Sequence, residues 1–341
     1  MKELKIVFVP AQINKNTGSY RIWVDDYNKY FNQIGIDSKI VPLNLLSEKI
    51  VKESDVIILG KSMRNSLKSA YFSLKKVKNS LIVGAITPPR DFNIPFDFVM
   101  AGSLEECDSL SFHKNVILNA HIESLYHNSE IKTHKKTNVL KICYHGWTPH
   151  LYSFTCGLKN AIEKFNKDVQ KVELHVITEY DKNTIQWDES FGRPNVDITF
   201  KKWKIENVKD DILECDIGIC PGVYNLTNQD MIVNNTHGKF NTDYIMRYKN
   251  KTNNGRAIVF MQLGLPTIAD FSPSNFHLFG DMQCGLVAHT EEGWYSALEY
   301  YSNYENRNMI AKNARDFIDE KYDPLVWAKR YYDNILKIKG N

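Results

Sequence analysis

The sequence predicts an α/β protein built as two parallel, doubly wound halves. Three observations predict it. Short apolar runs, of the kind a sheet buries on both faces, alternate with stretches of helical apolar spacing. The alternation breaks at Ser129–Asn138 (SEIKTHKKTN), a polar, basic stretch with no apolar period, and restarts at Val139. At 341 residues the chain has room for two domains of ordinary size.

In the first half, Lys5–Pro10 (KIVFVP) reads as a buried strand, followed by a polar loop over Ala11–Ser19. Tyr20, Trp23, Tyr27, Tyr30, Phe31 and Ile34 then recur at helical spacing, with Asp25, Asp26, Asn28 and Lys29 between them. That is an amphipathic helix, with Ser19 as its N-cap and Gly35 as its stop. Its aromatic stripe is what core packing predicts, with carbohydrate stacking by Tyr20 or Trp23 the alternative reading. Ser38–Pro42, Asp55–Leu59 and Leu81–Ile86 read as strands, and Leu67–Lys76 as a helix. Phe98–Ala101 and Val116–Asn119 are short further strands.

The second half opens with the strand Val139–Tyr144, a loop from His145 to Tyr152 and a helix over Phe154–Phe165. Val172–Ile177, Val196–Phe200 and Ile217–Cys220 read as strands, with a helix at Val208–Cys215 before the last. A long polar stretch, Val223–Asn250, reads as a loop insertion. Arg256–Leu263 is a short apolar helix stopped by Gly264; Leu265-Pro266 turns the chain into the strand Thr267–Ala269. Leu286–Ala288 is a small strand, and helices follow at Glu292–Tyr301, Arg307–Asp319 and Pro324–Ile338. No repeat at a solenoid period is present. These elements give a first domain over 1–132, a second over 139–322, and a last helix, 323–341, that packs back on the first domain.

Composition narrows the function. Apolar content of 43% with 24% charged residues is that of a water-soluble globular chain. A net charge of +3 is too small to make nucleic acid the main partner. It suits an anionic ligand, or peripheral contact with an anionic membrane surface. The six cysteines (Cys107, Cys143, Cys156, Cys215, Cys220 and Cys284) are scattered with no C-x-x-C pair, which points to a reduced, intracellular protein. The first apolar run is too short for a signal peptide, and no run is long enough to span a bilayer, so a cytoplasmic location is expected. The sequence contains no D-x-D, no H-E-x-x-H and no Cys/His cluster at ligand spacing, so no metal or other cofactor is expected.

Lys251–Asp270 carries the clearest chemistry. A polar loop leads into an apolar helix whose first amides have no intrahelical partner, with Lys251 and Arg256 on either side. Cations at a helix start oppose its dipole, a mismatch that makes sense if an anion sits between them. This stretch resembles the donor-binding segment of bacterial glycosyltransferases of the GT-B architecture. There a K-[ST]-N-N-R pattern precedes an apolar helix and G-x-P. Here it is Lys251-Thr252-Asn253-Asn254, one inserted Gly255, Arg256, then Phe260-Met261-Gln262-Leu263-Gly264-Leu265-Pro266. Glu292-Gly293-Trp294, Ala314-Arg315 and the Tyr322-Asp323-Pro324 helix start fit the same family.

The resemblance implies two Rossmann-like domains facing across a cleft, and transfer of a sugar from a nucleotide-sugar donor to a glycan or glycolipid acceptor of capsule or lipopolysaccharide type. It departs from the large retaining group of that architecture. The two glutamates of an E-x7-E pattern fall on Lys251 and Val259, so membership of that group and its stereochemistry do not carry over. A sugar-nucleotide epimerase and a non-catalytic nucleotide-sugar binding protein are the rival readings.

Transfer requires that the leaving diphosphate be neutralised. Lys251, Thr252, Asn253, Asn254 and Arg256 are the donor-binding candidates. Gly146, with Thr148 and His145, follows the first strand of the second half, where a doubly wound sheet binds ligands. The alternative there is a tight turn with Trp147 packed on the next helix. Gly222 and Tyr224 follow the strand IGIC and could line the nucleoside pocket, or be a turn and a core tyrosine. Gly18, Ser19 and Arg21 open the first helix toward the expected cleft; Arg21 reads equally as a surface charge. An acceptor-activating base should be a carboxylate or histidine at a strand end of the first half. Asp91 is the first candidate; His121 and Glu123 are the second. Their plain readings are a turn-former and a satisfied, partly buried histidine.

Overall fold

The computed structural model describes residues 4–63, 66–89, 93–155, 157–181, 183, 185–222, 254–280 and 283–340. By contacts the chain divides into two compact units, Met1–Ser124 with Tyr322–Asn341, and Leu125–Lys321.

The first unit is a six-stranded sheet in the order β2-β1-β3-β4-β5-β6. Its strands are β1 (Ile6–Val9), β2 (Ser38–Ile40), β3 (Val56–Leu59), β4 (Ile82–Ile86), β5 (Phe98–Ala101) and β6 (Val116–Leu118). All neighbours are parallel, with Ile6 opposite Val56 and Val56 opposite Ile82. Side chains alternate across a strand, so each strand feeds two cores. Ile6 and Phe8 join Trp23, Phe31, Phe98 and Tyr331 on one face. Val7 and Val9 join Ile57, Leu67, Tyr71 and Val83 on the other. The last helix, Pro324–Gly340, completes the first of these cores: Tyr331 lies 5.6 Å from Tyr27 and 5.4 Å from Phe31, ring centroid to centroid.

The first helix departs from the sequence expectation. It begins with one α-helical turn, Gly18–Tyr20, continues as a π-helical turn over Arg21–Asp25, and becomes regular over Asp26–Gln33. Ser19 therefore lies inside the first turn. The N-cap position is Thr17, which makes no side-chain cap bond. Gly35 follows the helix with φ +84°, as expected of its stop. The structure adds helices at Glu48–Glu53 and Leu104–Ser109. The second is held by a reciprocal cap: Ser103 Oγ accepts from the Glu106 amide at 3.0 Å, and the Glu106 carboxylate accepts from the Gly102 amide at 2.7 Å.

The second unit is a six-stranded parallel sheet in the order β12-β11-β10-β7-β8-β9. Its strands are β7 (Val139–His145), β8 (Lys171–Thr178), β9 (Asp197–Lys202), β10 (Ile217–Cys220), β11 (Thr267–Asp270) and β12 (Leu286–Ala288). The chain winds outward from β7 through β8 to β9, then returns to the other side of β7 as β10. The strand order thus reverses between β7 and β10, the place where doubly wound sheets bind ligands. The Leu158–Asp168 and Glu291–Ser302 helices share one core with Tyr144, Phe154, Trp187 and Trp294. A further helix, Pro273–Phe279, starts on a Ser272 cap with Pro273 in its first turn.

The polar stretch around Ser129–Asn138 is held to this unit by hydrogen bonds, with Ile131 lying against Gly264. Lys132 Nζ donates to Leu213 O at 2.8 Å and Cys215 O at 2.5 Å. The His134 ring meets Gly264 O at 2.8 Å. Arg307, fully buried, donates to Tyr301 O at 2.6 Å and Ser302 O at 3.1 Å, closing the Glu291–Ser302 helix, and to Lys135 O at 2.8 Å. A cation at a helix C-terminus meets the negative end of its dipole.

Candidate functional site

In the second unit the site grows from the C-terminal ends of β7 and β10. After His145 the backbone takes φ +141° at Gly146, a region L side chains rarely adopt. The loop is fixed by its own bonds. Thr178 Oγ1, at the end of β8, donates to Gly146 O at 2.5 Å, and Thr148 Oγ1 lies 3.0 Å from that same hydroxyl. Because Thr178 spends its proton on Gly146 O, Thr148 is the donor of the pair. Its hydroxyl holds the loop. Tyr144 Oη donates to Trp147 O at 2.7 Å.

Arg256, in the first turn of the Gly255–Leu263 helix, reaches across this point. Its Nη2 donates to Pro221 O at 3.1 Å, beyond the end of β10. Its guanidinium carbon lies 5.5 Å from the Tyr144 ring centre. A Cβ on Gly146 would sit 3.0 Å from Arg256 Cδ, so glycine is what lets loop and arginine meet. The helix is seated by Phe260, whose ring fills the space over Gly218 of β10 and meets the His145 ring edge-on at 4.8 Å. Asn254, at the N-cap position, makes no side-chain cap bond.

The electrostatics single out Arg256. Among the described residues its buried Nη1 has no hydrogen-bond partner and the guanidinium has no ion pair. Burial, reinforced by the Arg256 charge, pushes the His145 and His150 imidazoles down to about 3. Both are neutral near pH 7 and leave the guanidinium as the local charge. Arg256 is half-buried, and a cation at a helix start with a buried donor left unmatched among the described residues is costly unless an anion completes it. Gly146, Thr148, His145, Asn254, Arg256 and Gly222 are thus brought to the β7 and β10 ends; Gly222 follows Pro221 and is half-buried. Tyr224, Lys251, Thr252 and Asn253 lie outside the described residues.

In the first unit, two candidates from opposite roles meet. Arg21 Nε donates to Glu123 Oε1 at 3.1 Å, Nη2 donates to Glu123 Oε2, and Nη1 donates to Lys15 O at 2.9 Å. Both side chains are buried. Arg21 is therefore not the surface charge its plain reading made it. Gly18 opens the same turn; a Cβ there would stand 4.0 Å from Arg21 Nη2. His121 packs against Trp23, with ring centres 5.5 Å apart at 78°. Burial, with Lys61 and Arg21 nearby, pushes it down to about 3, and its Nδ1 is buried with no partner among the described residues. Asp91 lies outside the described residues. Among the described residues, no cluster of three or more His, Cys, Asp or Glu side chains is placed to hold a metal ion. No described helix is long and apolar enough to cross a membrane.

Sequence reading missed Asp26. It is 5% exposed and accepts from Ser124 Oγ at 2.6 Å, while its other oxygen is buried without a partner among the described residues. Burial raises its pKa to about 6, with Glu123 adding to the rise and Ser124 and Arg21 opposing it. The unfolded value is about 3.9. Between about pH 4 and 6 the native state keeps a proton that the unfolded chain has released. Stability from this group is therefore complete below that window and is lost as pH rises through it. Above it the cost is about 2–3 kcal/mol. Asp26→Asn should raise the thermal midpoint at about pH 7.5 and leave it unchanged near pH 4. An equal shift at both pH values would assign the effect to packing instead.

No protein-family model matches the chain, and no curated protein matches it in sequence. Solved structures do. The chain is similar to Anabaena HepE in complex with UDP-glucose, at 13% identity over 98% of this chain and 100% of that one, with a TM-score of 0.61. A glycosyltransferase from Rickettsia africae is 12% identical over 100% of both chains, with a TM-score of 0.62. The T4 phage beta-glucosyltransferase in complex with UDP-glucose is 12% identical over 97% of this chain and 99% of its own, with a TM-score of 0.59. At such identities the likeness is one of fold, and the fold is that of the GT-B glycosyltransferases, with two Rossmann-like units.

Proposed function

We propose that the protein is a glycosyltransferase that moves a sugar from a nucleotide-sugar donor, a UDP-sugar in the first instance, to a glycan acceptor of capsule or lipopolysaccharide type. The observation that carries this reading is Arg256: a guanidinium whose buried Nη1 has no partner among the described residues, at a helix start, where the strand order reverses between β7 and β10. That is where a diphosphate would complete the charge. The fold relatives that hold UDP-glucose support the choice of donor.

In this mechanism Arg256, Lys251 and the helix amides take up the charge that develops on the leaving diphosphate, without a metal ion. Thr252 and Asn253, which precede Asn254 in the sequence, contribute to the same contact. The acceptor hydroxyl gives its proton to a base of the first unit. Glu123 is engaged by Arg21, so Asp91 and the neutral imidazole of His121 are the candidates for that role. The enzyme works in the cytoplasm, with peripheral contact at the membrane where a lipid-linked acceptor is presented.

The test is calorimetry and turnover with a panel of nucleotide sugars. UDP and a UDP-hexose should bind at micromolar to low millimolar levels, and UDP should be released faster when glycan acceptor is added. Absence of binding to any nucleotide at millimolar concentration would sink the reading. Epimerised donor without acceptor would assign the epimerase activity, and saturable binding without turnover a binding protein.

A further inference from the structure

We infer that Trp147 is the platform on which the transferred pyranose ring stacks, so that it reads the sugar of the donor rather than its nucleotide. The inference rests on the donor reading of the β7–β10 site and deepens it. Trp23, Trp187 and Trp294 are 1%, 2% and 2% exposed, whereas Trp147 is 66% exposed. At that exposure it is not the packed turn residue that the plain reading of its loop made it. Nor does it project from loose chain. Its carbonyl accepts from Tyr144 Oη at 2.7 Å and from the His150 amide at 3.1 Å, and the carbonyl before it accepts from Thr178 Oγ1 at 2.5 Å. The backbone is pinned and the indole is left bare.

The indole meets the His150 ring at 5.6 Å and 75°, an edge-to-face arrangement that can cover only one side of the indole. His150 in turn feels the charge of Arg256. A Cβ on Gly146 would lie 3.0 Å from Arg256 Cδ, and Trp147 directly follows Gly146 in the chain, about 3.8 Å from it along the backbone. In a nucleoside-diphosphate hexose the sugar is bonded to the terminal phosphate, while the base lies beyond the second phosphate and the ribose. A phosphate held by Arg256 beside Gly146 puts the hexose nearest the exposed indole. One face of a pyranose presents C–H bonds, which complement the electron-rich face of an indole.

The experiment compares wild type, Trp147→Ala and Trp147→Phe by calorimetry. The ligands are UDP and, from UDP-glucose, UDP-galactose and UDP-N-acetylglucosamine, the UDP-hexose that binds wild type most tightly. We expect Trp147→Ala to lose about tenfold in affinity for the UDP-hexose while UDP affinity stays within about twofold, and Trp147→Phe to recover most of the loss. Equal weakening toward both ligands would place the indole on the nucleotide and overturn the inference. So would unchanged affinity for the hexose donor. A wild-type chain that binds neither ligand would remove the donor reading and this inference with it, whereas wild-type binding that Trp147→Ala leaves intact removes the inference alone.

Discussion

Arg256→Ala is expected to raise the dissociation constant for UDP roughly ten- to hundred-fold, about 1.5–3 kcal/mol, the range of a charge-assisted hydrogen bond to phosphate. The fold should tolerate the change, because among the described residues the side chain gives up only its bond to Pro221 O and its contact with the Tyr144 ring. Arg256→Lys should recover only part of the affinity. An ammonium is a compact point charge and cannot reach Pro221 O and a phosphate in one plane. Gly146→Ala should act in the same direction, since its Cβ would fall 3.0 Å from Arg256 Cδ at a backbone angle of φ +141°. Lys251→Ala should weaken UDP by a similar amount. If Arg256→Ala and Lys251→Ala both bind UDP as wild type does, the stretch is scaffold and the diphosphate sits elsewhere.

Glu123→Ala is expected to destabilise the protein by about 3–5 kcal/mol, read by urea or thermal denaturation. It leaves Arg21 charged, buried and without its carboxylate. Removing both partners with apolar residues of similar size, Arg21→Met with Glu123→Leu, should recover most of that loss, because the desolvation of both charges is relieved together. The pair of variants also settles how activity data at Glu123 are to be interpreted. Inactivity of Glu123→Ala alone would report unfolding. Inactivity of the stable double variant would report a lost chemical role. Wild-type stability in Glu123→Ala would show that the pair contributes no structure and would return Glu123 to the candidate bases.

The parallel strands were legible because their burial on both faces leaves no alternative to an apolar run. IVFV, VIIL and IGIC are fully buried in the structure and stand out in the sequence. The helices at Leu104–Ser109 and Pro273–Phe279 were not found by periodicity, since each has too few turns to show one. Their signals were caps, Ser103 with Glu106 and Ser272 with Pro273, which local reading could have used. The π-helical turn over Arg21–Asp25 has no sequence signature. It ends next to Asp26, which the spacing put on the polar face and the structure buries. The parts of the site that were legible lie within a few residues of a strand end or helix start, as Gly146 and Arg256 do. The Arg21–Glu123 pair spans 102 positions, and no local pattern announces a partner that far away.

The last helix has a consequence for how the chain is made. The first unit is assembled from the two extremes of the sequence, Met1–Ser124 and Tyr322–Asn341. On the ribosome its sheet emerges first, yet Ala328, Tyr331 and Ile335, which share a core with Phe8, Phe31 and Phe98, emerge only after the whole of the second unit. The Leu125–Lys321 unit is continuous and can close in order of synthesis, whereas the earlier-born unit must wait with an aromatic face uncovered until roughly two hundred residues have been added after it. The intervening unit can therefore close before the first one is complete, and the interval before Ala328, Tyr331 and Ile335 emerge is when that face is open to chaperones and to aggregation.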